Sequence, residues 1–299
     1  MPRSDYHSGI KTRNPKPETR NQSKMIDRYA VIGNPVAHSK SPLIHATFAR
    51  QTDEDIVYEA LLAPLDGFAA SVRSFVAAGG RGLNVTVPFK LEAWQLADQR
   101  SARAEAAKAV NTLIVTPQGL TGDNTDGVGL VRDITANLGV TLAGKRLLLL
   151  GAGGAARGAI LPLLDAWPAA LLIANRTAEK AHALAAEFAP QSQGAALSAA
   201  SFEELAGRQF DIVINATSAS LNDAAPNLPV GIYASGALAY DMMYGKGLTP
   251  FLHAAQAGCA MLADGLGMLV EQAAESFYLW RGVRPQTAPV LAWLRSEQA

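Results

Sequence analysis

From Tyr29 onward, short apolar runs alternate with stretches in which apolar residues recur every three or four positions. The first pattern reads as strands and the second as amphipathic helices, so the chain is predicted to be an α/β protein. "YAVIG" is the first strand. Ser41 and Pro42 read as an N-cap and first helical residue, opening a helix through "LIHATFARQ". "IVYEALLA" is a second strand, "DGFAASVRSFVAAGG" a helix closed by glycines, and "GLNVTV" a third strand. "AVNTLIVT" follows an Ala-rich helical piece, and "GLTGDNTDG" reads as a turn-rich connection. These bound a first lobe at about residues 25–127. The helix "GVGLVRDITANLG" leads into a second lobe at "KRLLLLGAGGAARGAILPLL", with further strands at "ALLIAN" and "FDIVINAT". A long helix, "DGLGMLVEQAAESFYLWRG", and another from about Thr287 close the chain. Periodicity does not say against which lobe they pack.

With 299 residues the chain is long enough for two cores and a cleft between them. Lys plus Arg and Asp plus Glu are balanced at 26 each, so nothing draws a polyanion such as nucleic acid, and a small partner is expected. Cys259 is the only cysteine, which excludes an internal disulfide and a cysteine-based zinc cage; it reads as a small packed side chain in a reducing compartment. No apolar run reaches the roughly 18–20 residues that a membrane span needs. The first 24 residues carry six Lys/Arg against two Asp/Glu and almost no aliphatic side chains, so a disordered extension at 1–24 is expected, with Met25 a candidate start. Without a secretion signal, the N-x-Thr sequons at Asn84, Asn175 and Asn215 read as chance matches.

In "LLLLGAGGAA" the glycines Gly151 and Gly153 follow an apolar strand directly, and Ala156 takes the third place of a G-x-G-x-x-A pattern. Such a loop lets the backbone approach a pyrophosphate at the N-terminus of the next helix. The following strand ends at Asn175, and there the chain has "NRTAEK", with no acid to accept bonds from a ribose 2′-hydroxyl. Arg176 stands there instead. A guanidinium suits planar recognition of a phosphate, so the expected cofactor is NADP and not NAD.

"GLNVTVPFK" raises a separate question, because a β-branched run meets Pro88 and two residues later stands Lys90. The lysine is either a surface charge after a turn or a catalytic group at the mouth of a cleft. "GDNTDGVGLVRD" has part of the spacing of a calcium loop, but it opens on Gly122 and its twelfth residue is Asp133, not Glu, so no metal is expected. His38 reads as structural or solvent-facing.

Together, "GNPVAHSKSP", "NVTVPFK", "AVNTL", "GDNTDG", "GAGGAARG", "NRT", "NATS", "YDMMY" and "DGLGMLVEQA" resemble, in order, the motifs of the shikimate dehydrogenase family, from about Tyr29 to the C-terminus. The resemblance implies NADP-dependent, reversible reduction of 3-dehydroshikimate to shikimate in a cytoplasmic monomer or homodimer. It implies a catalytic α/β lobe at 25–127, completed by C-terminal helices at 266–299 that return to it, and a Rossmann-like NADP lobe at 128–265. Carried over, it makes Lys90 and Asp126 a catalytic pair, gives the substrate carboxylate to Ser39 and Ser41, and gives the rest of the pocket to Thr86, Asn111, Tyr244 and Gln272. On the cofactor side it implies Gly151, Ala152, Gly153, Gly154 and Ala155 with Asn175, Arg176, Thr177 and Lys180 for the phosphate and adenosine sites, Thr217 as a further cofactor contact, and Met242 and Gly265 beside the nicotinamide. One departure is Ala102, where the family often carries an acid. Ketone reduction needs a proton donor within about 2.6–3.2 Å of the oxygen, and an ammonium carries that proton at neutral pH. The alternatives are a quinate/shikimate enzyme that also uses NAD, and a non-catalytic shikimate sensor.

Overall fold

The computed structural model describes residues 26–217, 224–258 and 261–297. The segment 1–24, Met25 and Cys259 lie outside the described residues. Two six-stranded sheets organise the rest. The first contains β1 (Asp27–Gly33), β2 (Ile56–Leu62), β3 (Gly80–Val85), β4 (Gln99–Arg100), β5 (Thr112–Thr116) and β6 (Gly119–Asp123), in the order β2-β1-β3-β5-β6-β4. Helices α1 (Ser41–Thr52) and α2 (Phe68–Ala77) carry the chain back between β1, β2 and β3, which are parallel. Helices α3 (Lys90–Leu96) and α4 (Ala102–Ala107) precede β5, which is antiparallel to both β3 and β6.

Three sequence expectations change here. "GLTGD" is strand β6 and not a turn: it pairs with β5 from Thr112↔Asp123 to Thr116↔Gly119. Gly122 fits inside it because a Cβ there would lie 2.6 Å from Val110, so hairpin pairing and close packing outweigh glycine's low strand propensity. Helix α1 is capped at Lys40, and Ser41 is its first residue; the Ser41 N–H donates to Ser39 Oγ at 3.3 Å, and the Ser41 side chain makes no cap bond. Strand β3 ends at Val85, so Thr86 and Val87 have already left the sheet.

The second sheet contains β7 (Arg146–Leu150), β8 (Ala170–Ala174), β9 (Ala196–Ala200), β10 (Phe210–Asn215), β11 (Tyr233–Asp241) and β12 (Met261–Asp264), all parallel, in the order β12-β11-β10-β7-β8-β9. Helices α6 (Gly154–Asp165) and α7 (Ala178–Phe188) cover one face and α8 (Pro250–Ala255) the other. The run Leu147–Leu150 shows why: Leu147 and Leu149 pack with Ile160 and Leu163, whereas Leu148 and Leu150 pack with Phe251 and Leu252. A strand covered on both faces is apolar at every position. Strand order reverses between β7 and β10, which opens a crevice at their carboxyl ends.

Helix α5 (Asp126–Arg132), continued by a π-helical turn at Asp133–Asn137, joins the lobes. The expected single helix "GVGLVRDITANLG" is therefore continuous but changes from α to π geometry at Asp133. Helix α9 (Leu266–Arg281) leaves the end of β12 and packs Ala273, Ala274 and Phe277 against Ile44 and Phe48 of α1, with Val290 and Leu294 of α10 (Ala288–Ser296) in the same cluster. The C-terminal helices thus lie on the first lobe.

His45 sits at the centre of that packing. Its ring stacks on Tyr58 at 4.2 Å and 4°, and Phe48, Phe277 and Trp280 surround it. Burial pushes the imidazole from 6.5 down to about 3, which the Asn84 side chain offsets only in part. The unfolded chain therefore binds this proton first as pH falls, and stability is lost from about pH 6.5 downward. At pH 5 the loss from this group is roughly 2 kcal/mol. Urea unfolding at pH 7.5 and pH 5.0 is expected to show a larger drop for wild type than for His45→Phe. Equal drops would remove His45 as the source.

Candidate active site

The site forms where three element ends of the first lobe meet the second lobe. After β3, the Thr86 N–H donates to Ile32 O at 3.0 Å and the Phe89 N–H to Thr86 O at 3.1 Å, closing a tight turn around Pro88. Phe89 is fully buried and stacks on Phe68 at 4.9 Å, which anchors the turn. Lys90 therefore emerges as the first residue of α3, at a fixed place on the cleft. Asp126 is the first residue of α5, with its N–H on Asn124 Oδ1 at 3.1 Å. The two side chains meet there. Lys90 Nζ lies 2.6 Å from Asp126 Oδ2, with both side chains partly exposed to the cavity.

Asn111, just before β5, holds the other carboxylate oxygen: its Nδ2 lies 2.7 Å from Asp126 Oδ1 and 3.3 Å from Gln272 Oε1 on α9. The Thr125 N–H donates to Asn111 Oδ1 at 2.9 Å, which fixes the amide with its NH₂ toward Asp126. A cavity of about 330 Å³ opens over this pair. Ser39, Ser41 and Thr86 line it from the first lobe, Gln272 from α9, and Met242, Tyr244 and Gly265 from the ends of β11 and β12. Burial and the Asp264 carboxylate push the Tyr244 hydroxyl up, so it stays a neutral donor. The cavity is small, has Lys90 and Asp126 side by side with Lys40 as a second cation in its lining, and combines hydroxyl and amide groups with apolar side chains such as Val31, Val85, Met268 and Leu269. Such a lining suits a small polyhydroxylated molecule. Exposed His38 stands at its edge.

A second cavity, of about 830 Å³, lies over the crevice of the parallel sheet. Gly151, at φ +111°, turns the chain sharply after β7, and a Cβ there would lie 3.1 Å from Ala216 O. Gly151 to Ala155, Asn175, Arg176 and Thr217 all line this cavity. Arg176 is exposed and has no ion-pair partner among the described residues, so its guanidinium is available to an anion. The residues present fit a dinucleotide: a bare backbone turn at a helix N-terminus for the pyrophosphate, and a free guanidinium beyond it. Thr177 and Lys180 stand apart: Thr177 precedes α7 and accepts from Asn175 Nδ2 at 2.9 Å, and Lys180 is exposed on the first turn of α7. Ala102 opens α4 behind the Ser101 cap. No group of His, Cys, Asp and Glu among the described residues could hold a metal ion, and no helix among them could cross a membrane.

Beneath the pair lies a polar layer that sequence reading passed over: Asn84, Thr112, Thr125 and Ser276, all buried. The signal was there in Asn84, a polar residue inside an apolar strand, which is costly unless it is bonded.

Three family models match the chain: the shikimate dehydrogenase substrate binding domain over residues 31–113, shikimate/quinate 5-dehydrogenase over 133–223, and the shikimate 5′-dehydrogenase C-terminal domain over 265–294. The shikimate dehydrogenase (NADP(+)) of Aromatoleum aromaticum is 66% identical over 273 residues, covering 91% of this chain and 98% of that protein. That of Nitrosospira multiformis is 64% identical over 273 residues, with the same coverage. Among solved structures, an Ael1 enzyme from Pseudomonas putida is 52% identical with a TM-score of 0.85, over 90% of this chain and 98% of that one. The shikimate 5-dehydrogenase of Thermus thermophilus, in complex with NADP(H) and shikimate, is 33% identical with a TM-score of 0.79, over 90% and 99%. Arg176→Ala is expected to lower the kcat/KM preference for a 2′-phosphorylated over an unphosphorylated dinucleotide by roughly 10- to 100-fold. An unchanged ratio would detach Arg176 from that phosphate.

Proposed function

The chain belongs to the shikimate dehydrogenase family, and on that premise we propose that Lys90 and Asp126 are the acid–base pair of an NADP-dependent reduction of 3-dehydroshikimate to shikimate. The observation that carries the reading is the 2.6 Å contact between Lys90 Nζ and Asp126 Oδ2 at the floor of the 330 Å³ cavity. When bound, the reduced nicotinamide supplies the hydride.

Lys90 gives its proton to the carbonyl oxygen as that oxygen gains charge, and takes it back in the oxidative direction. Asp126 keeps the ammonium aimed into the cavity, and Asn111 keeps Asp126 in place through its second oxygen. The proton belongs to the pair more than to either residue, since the two groups are in direct contact. Ser39 and Ser41 take the substrate carboxylate at the far end, and Thr86, Asn111, Tyr244 and Gln272 order the ring hydroxyls. An analogue lacking one hydroxyl leaves buried groups of the site unpaired, which is how a pocket with few charges becomes selective. Gly151 to Ala155, Asn175, Arg176 and Thr217 hold the dinucleotide, and Met242 and Gly265 form the wall that its nicotinamide faces. Thr177 and Lys180 serve the adenosine end from the first turn of α7.

This reading divides the chain into a substrate lobe, residues 25–127 with 266–299, and a cofactor lobe, residues 128–265. Two separate sheets support the division. Its setting is a cytoplasmic monomer or homodimer acting on a small molecule and not on nucleic acid or membrane, in keeping with the balanced charge.

Lys90→Ala is expected to lower kcat by about 10²- to 10⁴-fold while changing KM far less. Activity within a few-fold of wild type would remove Lys90 from the chemistry. NADP⁺ reduction followed with shikimate and quinate side by side is expected to favour shikimate clearly. Equal or greater activity on quinate would replace the substrate assignment.

A further inference from the structure

The layer beneath the catalytic pair has a direction. Asn84 Nδ2 lies 3.3 Å from the Asn111 carbonyl oxygen, which can only accept, so the Asn84 amide is oriented with its NH₂ toward β5. Its Oδ1 then faces the Tyr58 hydroxyl, which donates to it at 2.8 Å. On the other side, Asn84 Nδ2 donates to Thr112 Oγ1 at 3.2 Å and Ser276 Oγ at 2.9 Å. Thr112 is fully buried, and its hydroxyl is placed to donate to Asn111 Oδ1, 2.9 Å away, or to share a proton with Ser276 Oγ, where either hydroxyl can be the donor. Ser276, 2.8 Å from Thr112, provides a second hydroxyl in the same layer. Asn111 Nδ2 in turn donates to Asp126 Oδ1 at 2.7 Å.

Resting on the reading of Lys90 and Asp126 as the acid–base pair, we propose that Thr112 is a positioning residue: its hydroxyl joins Asn84 to Asn111 in a relay from Tyr58 whose donors all point toward Asp126. Together with the Thr125 N–H, the relay holds Asn111 Oδ1 as the acceptor and so turns the NH₂ toward Asp126 Oδ1, with Thr125 Oγ1 at 2.9 Å and Gln272 Oε1 at 3.3 Å as its other acceptors. Asp126 then remains an acceptor on one oxygen for Asn111 and on the other for Lys90. Without the Thr112 proton, Asn111 Oδ1 keeps its bonds from Thr125 alone, and Asn84 loses one acceptor.

Two variants of Thr112 separate polarity from packing. Thr112→Val keeps the shape and loses the hydroxyl, whereas Thr112→Ser keeps the hydroxyl and loses a methyl. In the full-length enzyme, Thr112→Val is expected to lower kcat roughly tenfold with a smaller change in shikimate KM, and Thr112→Ser to retain kcat within about twofold. Thermal melts confirm that both fold. Overturning results are Val at wild-type kcat, or Ser as impaired as Val. Lys90→Ala assayed alongside keeps the two ideas apart: if it is inactive while Thr112→Val is not, the relay fails and the acid–base pair stands; if it is active, the pair itself fails.

Discussion

Helix α9 is enclosed for most of its length by both lobes, and its buried polar residues impose the main constraint on the molecule. Glu271, Glu275 and Ser276 are each less than a tenth exposed. Buried charges are tolerated only when they are paired and hydrogen-bonded. Glu271 meets Asn137 at 3.1 Å and Arg132 at 3.5 Å, which ties α9 to the junction between the lobes. Burial alone would raise the Glu275 carboxyl, but Arg284 and Arg103 hold it below the usual range, and Arg103 also grips Asp123 at 2.6 Å. Ser276 joins the layer under the active site. The helix can occupy only one register, because sliding it would leave carboxylates in the interior without partners.

That single register is what assembles a site from distant pieces of chain. Gln272 reaches Asn111 only because α9 is seated there, and Gly265 stands just before the helix begins. Lys90 and Asp126 come from the first turns of two short helices, and Met242 and Tyr244 from the residues after β11. Apart from Gln272, which projects from within α9, these residues sit at or just beyond the end of an element, where the backbone is held by the sheet or helix behind it. The residues that line the smaller cavity come mostly from the first sheet's elements and α9, with Met242, Tyr244 and Gly265 facing them from the ends of β11 and β12.

Much of this was legible before any coordinates. The four-leucine run of β7 reads as an apolar strand, and the glycines after it as a phosphate turn or a tight bend. Arg176 near the end of the next strand, where an acid would meet a free ribose, pointed to NADP. The errors are informative as well. "GLTGD" was read as a turn because glycine resists strands locally, yet β5 offered it a full set of backbone partners and Val110 filled the space that a side chain would have taken. Ser41 was read as a cap on the strength of Pro42, but the cap position fell to Lys40 and the Ser41 side chain was left to line the cavity.

By itself the sequence determined what depends on periodicity and local chemistry: two α/β lobes, the dinucleotide turn, its preference for a phosphorylated ribose, and, through ordered motifs, the family. It could not show what Lys90 meets in the folded chain, or why Asn84 is an asparagine. Those depend on contacts between residues far apart in the chain, such as Lys90 with Asp126 and Asn84 with Ser276. Hydrogen bonds of this kind have no spacing rule, because their geometry exists only once α9 has packed against the first lobe and expelled the water that would otherwise satisfy each group separately.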